Sequence, residues 1–277
     1  MNCGLMSFPG SNVPGLASVG YAIWRARVAG RGGFTTSTEE IAARLYARMS
    51  ERSYLAKLVY FLPFLGASIE GACVPLVDAY GAGPVTAVAF AEADYSEGAG
   101  IQGNGSTKIL ISTLRPMDLN GNLGGLGWWE LAFTGSGNSE PIGYGDASPD
   151  NRFTLDLRSN RRFFCWGAVS ASESLCDQDI AASSGHWYGQ KSAAAARLLA
   201  LNGGVLLENT TSESTSQANT GAGRTFVFCG ANYDGTYYPW PGRGGCAYLT
   251  MGTLTASELA ELHADILEYL MVPTGRV

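Results

Sequence analysis

Three carboxylates stand close together in the short run from Glu92 to Glu97. Glu92, Asp94 and Glu97 follow an E-x-D-x-x-E spacing. Two carboxyl groups about 5 to 5.5 Å apart are the arrangement that hydrolyses a glycosidic bond with retention. The run leads directly into the Gly-Ala-Gly sequence at 98–100, which is typical of a solvated loop. The sequence therefore favours a loop without catalytic function, with Glu92 and Glu97 as a catalytic pair in the alternative hypothesis.

A second set of candidate residues is aromatic. Five rings lie in or beside segments rich in Gly and Pro, namely Trp187, Tyr233, Tyr237, Tyr238 and Trp240. Exposed aromatic faces stack on the C–H faces of sugars, so this set predicts a carbohydrate-binding surface. The alternative is that the rings hold a long loop on the fold or are buried in an oligomer contact, where Tyr and Trp are enriched.

The acidic turns of the chain offer hard oxygen ligands that would suit calcium. Asp146, Asp150 and Asn151 lie in one Gly-rich segment, and Asp177 with Asp179 forms a second group. Neither group has the spacing of an EF-hand loop, and segments rich in Asp and Asn commonly form turns. We therefore expect no cofactor, with calcium held by the first group as the alternative.

Histidine and cysteine are too sparse for most other catalytic or metal sites. The chain has two histidines, His186 and His263, and its six cysteines include no C-x-x-C pair. These counts argue against a zinc site, a redox motif and most catalytic triads. The Gly-Ser-Gly sequence at 135–137 also lacks the G-x-S-x-G form of a nucleophile elbow. We expect buried free thiols with at most one disulfide.

Composition excludes several classes of protein. The net charge is −6 and 15% of the 277 residues are charged, so the dense basic surface of a nucleic-acid-binding protein is missing. The first basic residue is Arg25, and the longest apolar stretch, 58–69, contains Pro63. These features predict neither a conventional signal peptide nor a membrane-spanning helix. The 37 glycines, without a three-residue period, indicate a chain rich in turns.

The first seventy residues differ in pattern from the remainder. Residues 1–34 contain Gly and Pro at short intervals and lack a clear periodicity of apolar residues, which predicts an extended arm. Residues 35–70 predict a small helical unit that opens with a capping box from Ser37 to Glu40. An apolar stripe follows at four-residue steps, and a second short helix is expected to run toward Pro63.

Residues 71–277 predict a sandwich of many short strands with a closing helix at 255–270. Short β-type runs are separated by Gly, Asn, Asp and Ser, with little helix between them, which indicates two antiparallel sheets. Residues 152–157 alternate apolar and polar side chains and predict a strand with one solvated face. Asn202-Gly203 predicts a hairpin turn, and Thr255 with Glu258 predicts a capping box for the closing helix.

Several segments occur in a recognisable order along the second half of the chain. They are His186-Trp187-Tyr188, Ala196 to Val205, Phe226 to Ala231, Gly242 to Tyr248 and Leu254 to Leu259. This order resembles the second half of the concanavalin A-like lectin/glucanase jelly roll in its laminin-G-like form. Gly98 to Thr107 is similar to the first strand of that domain. The preceding helical unit is similar to that of bacteriophage virion and tail-associated proteins that carry the domain.

The resemblance implies a mainly β fold, an antiparallel two-sheet jelly-roll sandwich with a small N-terminal helical unit and a C-terminal helix. In glucanases of this superfamily the E-x-D-x-x-E strand supplies a nucleophile, a tuning aspartate and an acid/base. Glu92, Asp94 and Glu97 would take these roles here. Many laminin-G-like domains also hold calcium through loop oxygens, which is the second source of the calcium hypothesis.

The resemblance implies a non-enzymatic virion protein, tail-associated or capsid-decorating, whose lectin-like domain attaches to carbohydrate or to a host surface. Further copies of the chain and other assembly proteins are its expected partners, contacted through the N-terminal arm, together with a glycan. We expect no nucleic-acid partner and no membrane insertion. Because one fold hosts many functions, two alternatives stay open: a glycoside hydrolase or polysaccharide lyase, and an extracellular bacterial adhesin at the cell surface.

Overall fold

The computed structural model describes residues 20–115, 123–135, 140–145, 152–157, 162–166, 175–178, 184–193, 196–210, 225–233 and 235–277. The α-helices in these residues are α1 Tyr21–Ala29, α2 Thr36–Ser50, α3 Ile69–Ala72, α4 Ala256–Ile266 and α5 Val272–Thr274. Short 3-10 helices lie at Ser53–Lys57 and Glu92–Asp94, and a π-helical turn at Leu267–Met271 joins α4 to α5. None of the described helices combines the length and the apolar character that crossing a bilayer requires.

The described strands are, in chain order, β1 Leu58–Leu62, β2 Val77–Asp78, β3 Thr86–Val88, β4 Tyr95–Ser96, β5 Gly100–Gln102, β6 Ile109–Ile111, β7 Gly124–Phe133, β8 Ile142–Gly145, β9 Arg152–Leu157, β10 Arg162–Trp166, β11 Leu175–Gln178, β12 Gly185–Ala193, β13 Ala196–Leu201, β14 Gly204–Asn209, β15 Val227–Phe228, β16 Gly230–Tyr233, β17 Thr236–Pro239 and β18 Gly242–Met251. They form two sheets. The first sheet runs β14-β13-β12-β7-β18-β1-β2, with β5 joined to β18 and β4 joined to β5. The second sheet runs β11-β10-β9-β8-β15-β6-β3, and the β16–β17 hairpin joins it through a parallel pairing of β16 with β8. The predicted mainly β, two-sheet sandwich is confirmed.

The larger hydrophobic core lies between the two sheets. Trp187 of β12 points into this core, and the adjacent Tyr188 points to the opposite face, as strand alternation requires. Trp128 and Trp129 of β7 divide between the two faces in the same way. The first sheet is therefore buried on both faces, by the second sheet on one side and by helices on the other.

A helical layer made of α1, α2 and α4 covers the outer face of the first sheet. Trp24 of α1, Leu45 of α2 and Leu262 of α4 belong to one buried cluster with Trp129 and Tyr248 of the sheet. Helices from both ends of the chain therefore share a single core. Within the predicted 1–34 arm, Tyr21–Ala29 is therefore a packed helix and not extended chain, and the predicted 35–70 unit contributes to the same core.

Capping decides where the helices begin. Helix α2 begins before the predicted Ser37 cap, because Thr35 takes that role and its side chain accepts from the amide of Thr38 at 3.0 Å. The capping box of α4 is confirmed. Thr255 Oγ1 accepts from the amide of Glu258 at 3.2 Å, and the Glu258 carboxylate accepts from the amide of Thr255 at 2.8 Å.

Two local predictions were wrong for reasons of burial. Leu58–Leu62 is a strand between β18 and β2 and not a helix, and every residue in it is buried. A short run that is apolar at every position does not distinguish a helix from a strand covered on both faces. The polar face of β9 is also not solvated, because Thr154 and Asp156 are fully buried. The alternation of apolar and polar residues shows which side chains share a face of the strand, but it does not show that the polar face is exposed to solvent.

Candidate functional site

The three carboxylates of the 92–97 segment are tied to three separate elements. Glu92 accepts from the amide of Ile69 at 3.1 Å, where α3 begins. Asp94 accepts from Lys108 Nζ at 2.6 Å. Glu97 accepts from hydroxyl groups at the start of α2, where a negative charge is also favoured by the helix dipole. Each carboxylate therefore has a structural role.

Asp94, which the resemblance assigns as the tuning aspartate, forms an ion pair with Lys108. Partial burial alone would raise its pKa, but the hydrogen bonds from Lys108 and from the amide of Ala91 outweigh burial and lower it. Asp94 is therefore an ionised member of a structural pair.

We expect Glu97→Gln to lower the free energy of unfolding by about 1–2 kcal/mol, because charge-assisted hydrogen bonds to the start of α2 become neutral ones. Release of reducing ends from a polysaccharide panel should be absent for both wild type and variant. Glu70→Gln, at an exposed position on α3, is the control for stability. Hydrolysis by the wild type that is lost in a stably folded Glu97→Gln protein would restore the hydrolase hypothesis.

The predicted aromatic set divides between core and surface. Trp187 and Trp240 are fully buried in the core between the sheets, which corrects their predicted role, since a buried indole has no face to offer a sugar. Trp240 instead packs edge-on against Trp128 at a centroid distance of 5.0 Å. Tyr237 and Tyr238 are 42% and 50% exposed on β17. The fifth ring, that of Tyr233, lies outside the described side chains.

The calcium candidates Asp146, Asp150 and Asn151 lie outside the described residues, as do Asp179 and the side chain of Asp177. Within the described part of the chain, no three His, Cys, Asp or Glu side chains are grouped closely enough to hold a metal ion.

Three of the six cysteines are described as buried free thiols, as the sequence predicted: Cys73, Cys229 and Cys246. Burial raises the pKa of the Cys73 thiol to about 12. Since the thiolate is the reactive form, this cysteine is inert at neutral pH.

A groove opens between the first sheet, helix α4 and the turn that joins β4 to β5. Its volume is about 460 Å³, within the ~300–1,000 Å³ range of small-ligand sites. Its lining includes Ala99 of that turn, Trp129 and Leu131 of β7, Arg243 of β18 and His263 of α4. An aromatic ring, an imidazole and a guanidinium therefore face one concave space.

Near-parallel rings form one wall of this groove. The Trp129 and His263 rings lie 5.3 Å apart at 8°, and the His186 ring, behind them, lies 5.2 Å from Trp129 at 10°. The Nδ1 atoms of His186 and His263 are 3.3 Å apart, so the two imidazoles meet edge to edge. His186 Nε2 is 2.7 Å from the hydroxyl of Tyr248. A hydrogen-bonded path thus runs from Tyr248 through both histidines of the chain to the groove.

The β13–β14 turn holds the histidine pair in place. Asn202 and Gly203 both have positive φ, 50° and 79°, which confirms the predicted hairpin turn. The amide of Asn202 donates to the His186 carbonyl at 2.8 Å, and its Oδ1 accepts from the His186 amide at 2.9 Å. A Cβ atom at Gly203 would lie 2.9 Å from the Cβ of His263, so a side chain at this position would push the turn away from α4.

Both imidazoles are neutral at physiological pH. Burial, and secondarily the neighbouring His263, holds the pKa of His186 well below its ordinary value. Burial also lowers the pKa of His263. Neutral imidazoles each carry one N–H, so the pair is joined by a single N–H···N hydrogen bond.

Sequence reasoning missed this groove because its residues are far apart in the chain. The two histidines are 77 positions apart, and the sequence shows no further metal ligands or triad partners for them. One signal was available. His263 lies four residues after Leu259 and three before Ile266, so it falls on the apolar stripe of α4 and had to face protein.

The comparisons with known proteins show a similar fold but do not assign the chain to a family. No family model and no curated protein matches the chain. Among solved structures, it is similar to botulinum neurotoxin type C, with 9% identity over 76% of this chain and 51% of that chain and a TM-score of 0.52. It is also similar to the NanB sialidase from Streptococcus pneumoniae (14% identity, 58% of this chain and 27% of that chain, TM-score 0.48) and to the CBM40 of a Ruminococcus gnavus IT-sialidase (13%, 53% and 85%, 0.43).

The chain spans about half of the neurotoxin chain and about a quarter of the NanB chain. The likeness to the neurotoxin shows a shared β-sandwich fold. At this level of identity it shows the fold alone, so the function has to be argued from the site.

Proposed function

We propose that this protein is a non-enzymatic carbohydrate-binding protein of a virion surface, tail-associated or capsid-decorating, and that the groove binds the glycan. The groove is the observation that carries the proposal. It is of small-ligand size, and its wall combines the edge of an indole with the polar groups of His263, Arg243 and Asn202. Saccharides carry apolar C–H groups together with a rim of hydroxyl groups, so a site for them combines apolar lining with hydrogen-bonding side chains.

The fold is compatible with this function. The uptake of botulinum neurotoxin type C into cells depends on interaction with two ganglioside molecules, so a glycolipid ligand is known for a protein of this fold. This support is an analogy of fold. The non-enzymatic part of the proposal rests on the structural roles of Glu92, Asp94 and Glu97.

The virion location rests on the sequence resemblance to laminin-G-like domains of bacteriophage proteins. In this proposal the N-terminal residues contact other assembly proteins, and the sandwich is displayed outward. Mass spectrometry of purified particles tests the location. Recovery of the chain from a bacterial cell surface, and not from particles, would favour the adhesin alternative.

The β16–β17 hairpin is a second candidate contact for the glycan. Tyr237 and Tyr238 are adjacent on a strand whose described pairing is with β16 alone, and both rings are about half exposed. Tyr and Trp rings offer large contact area at low entropic cost, which is why they are frequent in binding surfaces. The hairpin and the groove are separable by substitution.

A glycan array with three variants tests the proposal. Ala99→Trp places a large ring in the groove, Tyr237→Ala/Tyr238→Ala removes the hairpin rings, and Val88→Trp adds the same ring at an exposed position on the second sheet as the matched control. We expect the wild type and Val88→Trp to bind the same glycans, and Ala99→Trp to lose them. Circular dichroism establishes that each variant is folded.

Two results would change the proposal. Absence of any glycan signal for the wild type overturns carbohydrate binding. Loss of binding in the tyrosine variant, with full binding by Ala99→Trp, keeps the function and moves the site from the groove to the hairpin.

A further inference from the structure

Arg243 is the accessible cation among the described residues that line the groove. Its side chain is exposed, whereas Arg276, the other arginine of the lining, is 3% exposed and donates to four backbone carbonyls. The histidines of the wall are neutral. Arg243 is therefore the exposed guanidinium among the described residues of the lining.

Gln102 on the neighbouring strand β5 orients this guanidinium. Gln102 Nε2 donates to the carbonyls of Gly103 at 2.7 Å and Gly242 at 2.9 Å, which fixes the amide. Its Oε1 then accepts from Arg243 Nε at 3.2 Å. In the described part of the chain no carboxylate pairs with Arg243, so its terminal nitrogens are available to a ligand.

Glu130, although part of the lining, does not present its carboxylate to the groove. Neighbouring side chains on a strand point to opposite faces, and Trp129 and Leu131 pack on the helical side of β7. Glu130 therefore lies on the other face with Trp128, and it is 1% exposed. A negatively charged ligand would not meet this carboxylate.

The buried hydrogen-bonded path determines which ring nitrogen of His263 carries the proton. Within the described residues the hydroxyl of Tyr248 has one partner, His186 Nε2, so this buried O–H donates there to remain satisfied. His186 then carries its proton on Nδ1 and donates to Nδ1 of His263. His263 consequently carries its own proton on Nε2, for which the described protein supplies no acceptor, and this N–H is a donor for a ligand.

We infer that the groove selects a saccharide that carries a carboxylate, which Arg243 binds through its guanidinium and His263 through Nε2–H. This inference rests on the proposed carbohydrate-binding function and adds the ligand's charge. An exposed guanidinium and an N–H donor that face one space favour an anionic, acceptor-only group. Arg243 and His263 are therefore the specificity-determining residues, and Gln102, His186 and Tyr248 are positioning residues.

Matched sugars test the inference by isothermal titration calorimetry with the full chain. Glucuronic acid is compared with glucose, and galacturonic acid with galactose. We expect at least tenfold tighter binding of one uronic acid than of its neutral parent. Arg243→Gln should reduce that preference to below twofold, because the glutamine amide carries no charge. Arg243→Lys should keep part of the preference, because an ammonium retains the charge without the planar fork.

Arg44→Gln is the matched control, since this arginine is 73% exposed on α2, away from the groove. Imidazole ¹⁵N NMR supplies a second readout that does not depend on a ligand: we expect His263 to be protonated at Nε2, and a shift toward the Nδ1–H form in Tyr248→Phe. A wild-type His263 protonated at Nδ1 would overturn the donor role.

The outcomes distinguish a failure of the carboxylate inference from a failure of the proposed carbohydrate-binding function. Equal affinity for acidic and neutral sugars, or a preference that survives Arg243→Gln, overturns the inference and leaves carbohydrate binding intact. Tighter binding of galactose 6-sulfate than of galacturonic acid overturns the carboxylate assignment. Binding of no saccharide on the array or in the calorimeter overturns both.

Discussion

Asp265→Ala is expected to lower the free energy of unfolding by about 3 kcal/mol, near the low end of the ~3–5 kcal/mol typical for breaking a buried ion pair. Asp265 of α4 is 1% exposed. Its carboxylate accepts from Arg48 at 3.1 Å, from Arg52 at 2.9 Å and from the hydroxyl of Tyr54 at 2.9 Å. The loss is moderated because both arginine side chains are partly exposed and can be hydrated in the variant.

The pH dependence of this loss follows from the charge of Asp265. Burial alone would raise its pKa, but the hydrogen bonds from Arg52, Tyr54 and Arg48 outweigh burial and lower it. A carboxyl whose pKa is lower in the folded state contributes stability above its unfolded pKa, and that contribution is lost as the pH falls. The difference between wild type and Asp265→Ala should therefore shrink in acid, as measured by urea denaturation at several pH values.

Glu261→Ala is the matched control for Asp265→Ala. Glu261 lies one turn earlier on α4 and contacts the same Arg52 at 3.6 Å, but its side chain is 36% exposed. A pair of this kind contributes about 0–1 kcal/mol. Two separate unfolding transitions in Asp265→Ala, with the sandwich unaffected, would contradict the shared core and support an independent helical unit at 35–70.

The sequence predicted those parts of the fold that local chemistry decides. The α4 capping box and the Asn202-Gly203 turn were found because each depends on backbone amides or positive φ within four residues. The α1 helix was missed for the opposite reason. Its buried contacts are Trp24 and Val28, a single i, i+4 pair, which is too little apolar pattern to predict a helix. It is stabilised by packing against α2 and α3 and by the ion pair of Arg27 with Asp78 of β2.

The candidate site could not be predicted from the sequence, because its residues are distant in the chain and come together only in the folded structure. Trp187 and Trp240 stand beside Gly-rich segments that suggest exposure, yet the first is in a strand covered on both faces and the second is packed edge-on in the core. Conversely, His186 and His263 showed no local motif. Their contact depends on the β13–β14 turn docking on α4, which no spacing along the chain encodes.

A second large loss of stability is expected from Arg276. Four backbone carbonyls accept from its guanidinium: those of Glu97 at 2.7 Å, Pro63 at 2.9 Å, Phe64 at 2.6 Å and Gly245 at 2.7 Å. Phe64 has a positive φ of 49°, a conformation that a bulky residue adopts only where neighbours hold it. Arg276 therefore joins the turn after β1, strand β18 and the β4–β5 turn at one point.

Arg276→Ala is expected to lower the free energy of unfolding by about 3–5 kcal/mol, because buried carbonyls left without donors each cost roughly 1–3 kcal/mol before relaxation. Arg276→Lys should recover part of this loss, since three donors on a flexible stem cannot reproduce the planar fork. Val277→Ala, at the residue next to Arg276, is the control. Val277 is 82% exposed, so this substitution should change the free energy of unfolding by less than about 0.5 kcal/mol. Urea denaturation followed by tryptophan fluorescence measures all three.

The same substitution connects stability to the groove. The β4–β5 turn that Arg276 holds through the Glu97 carbonyl also supplies Ala99 to the groove lining. Loss of that hydrogen bond should loosen the turn and weaken glycan binding severalfold even at a temperature where Arg276→Ala remains folded. Unchanged stability in Arg276→Ala would show that water replaces the guanidinium at these carbonyls, and would remove this residue as the tie between the sandwich core and the proposed site.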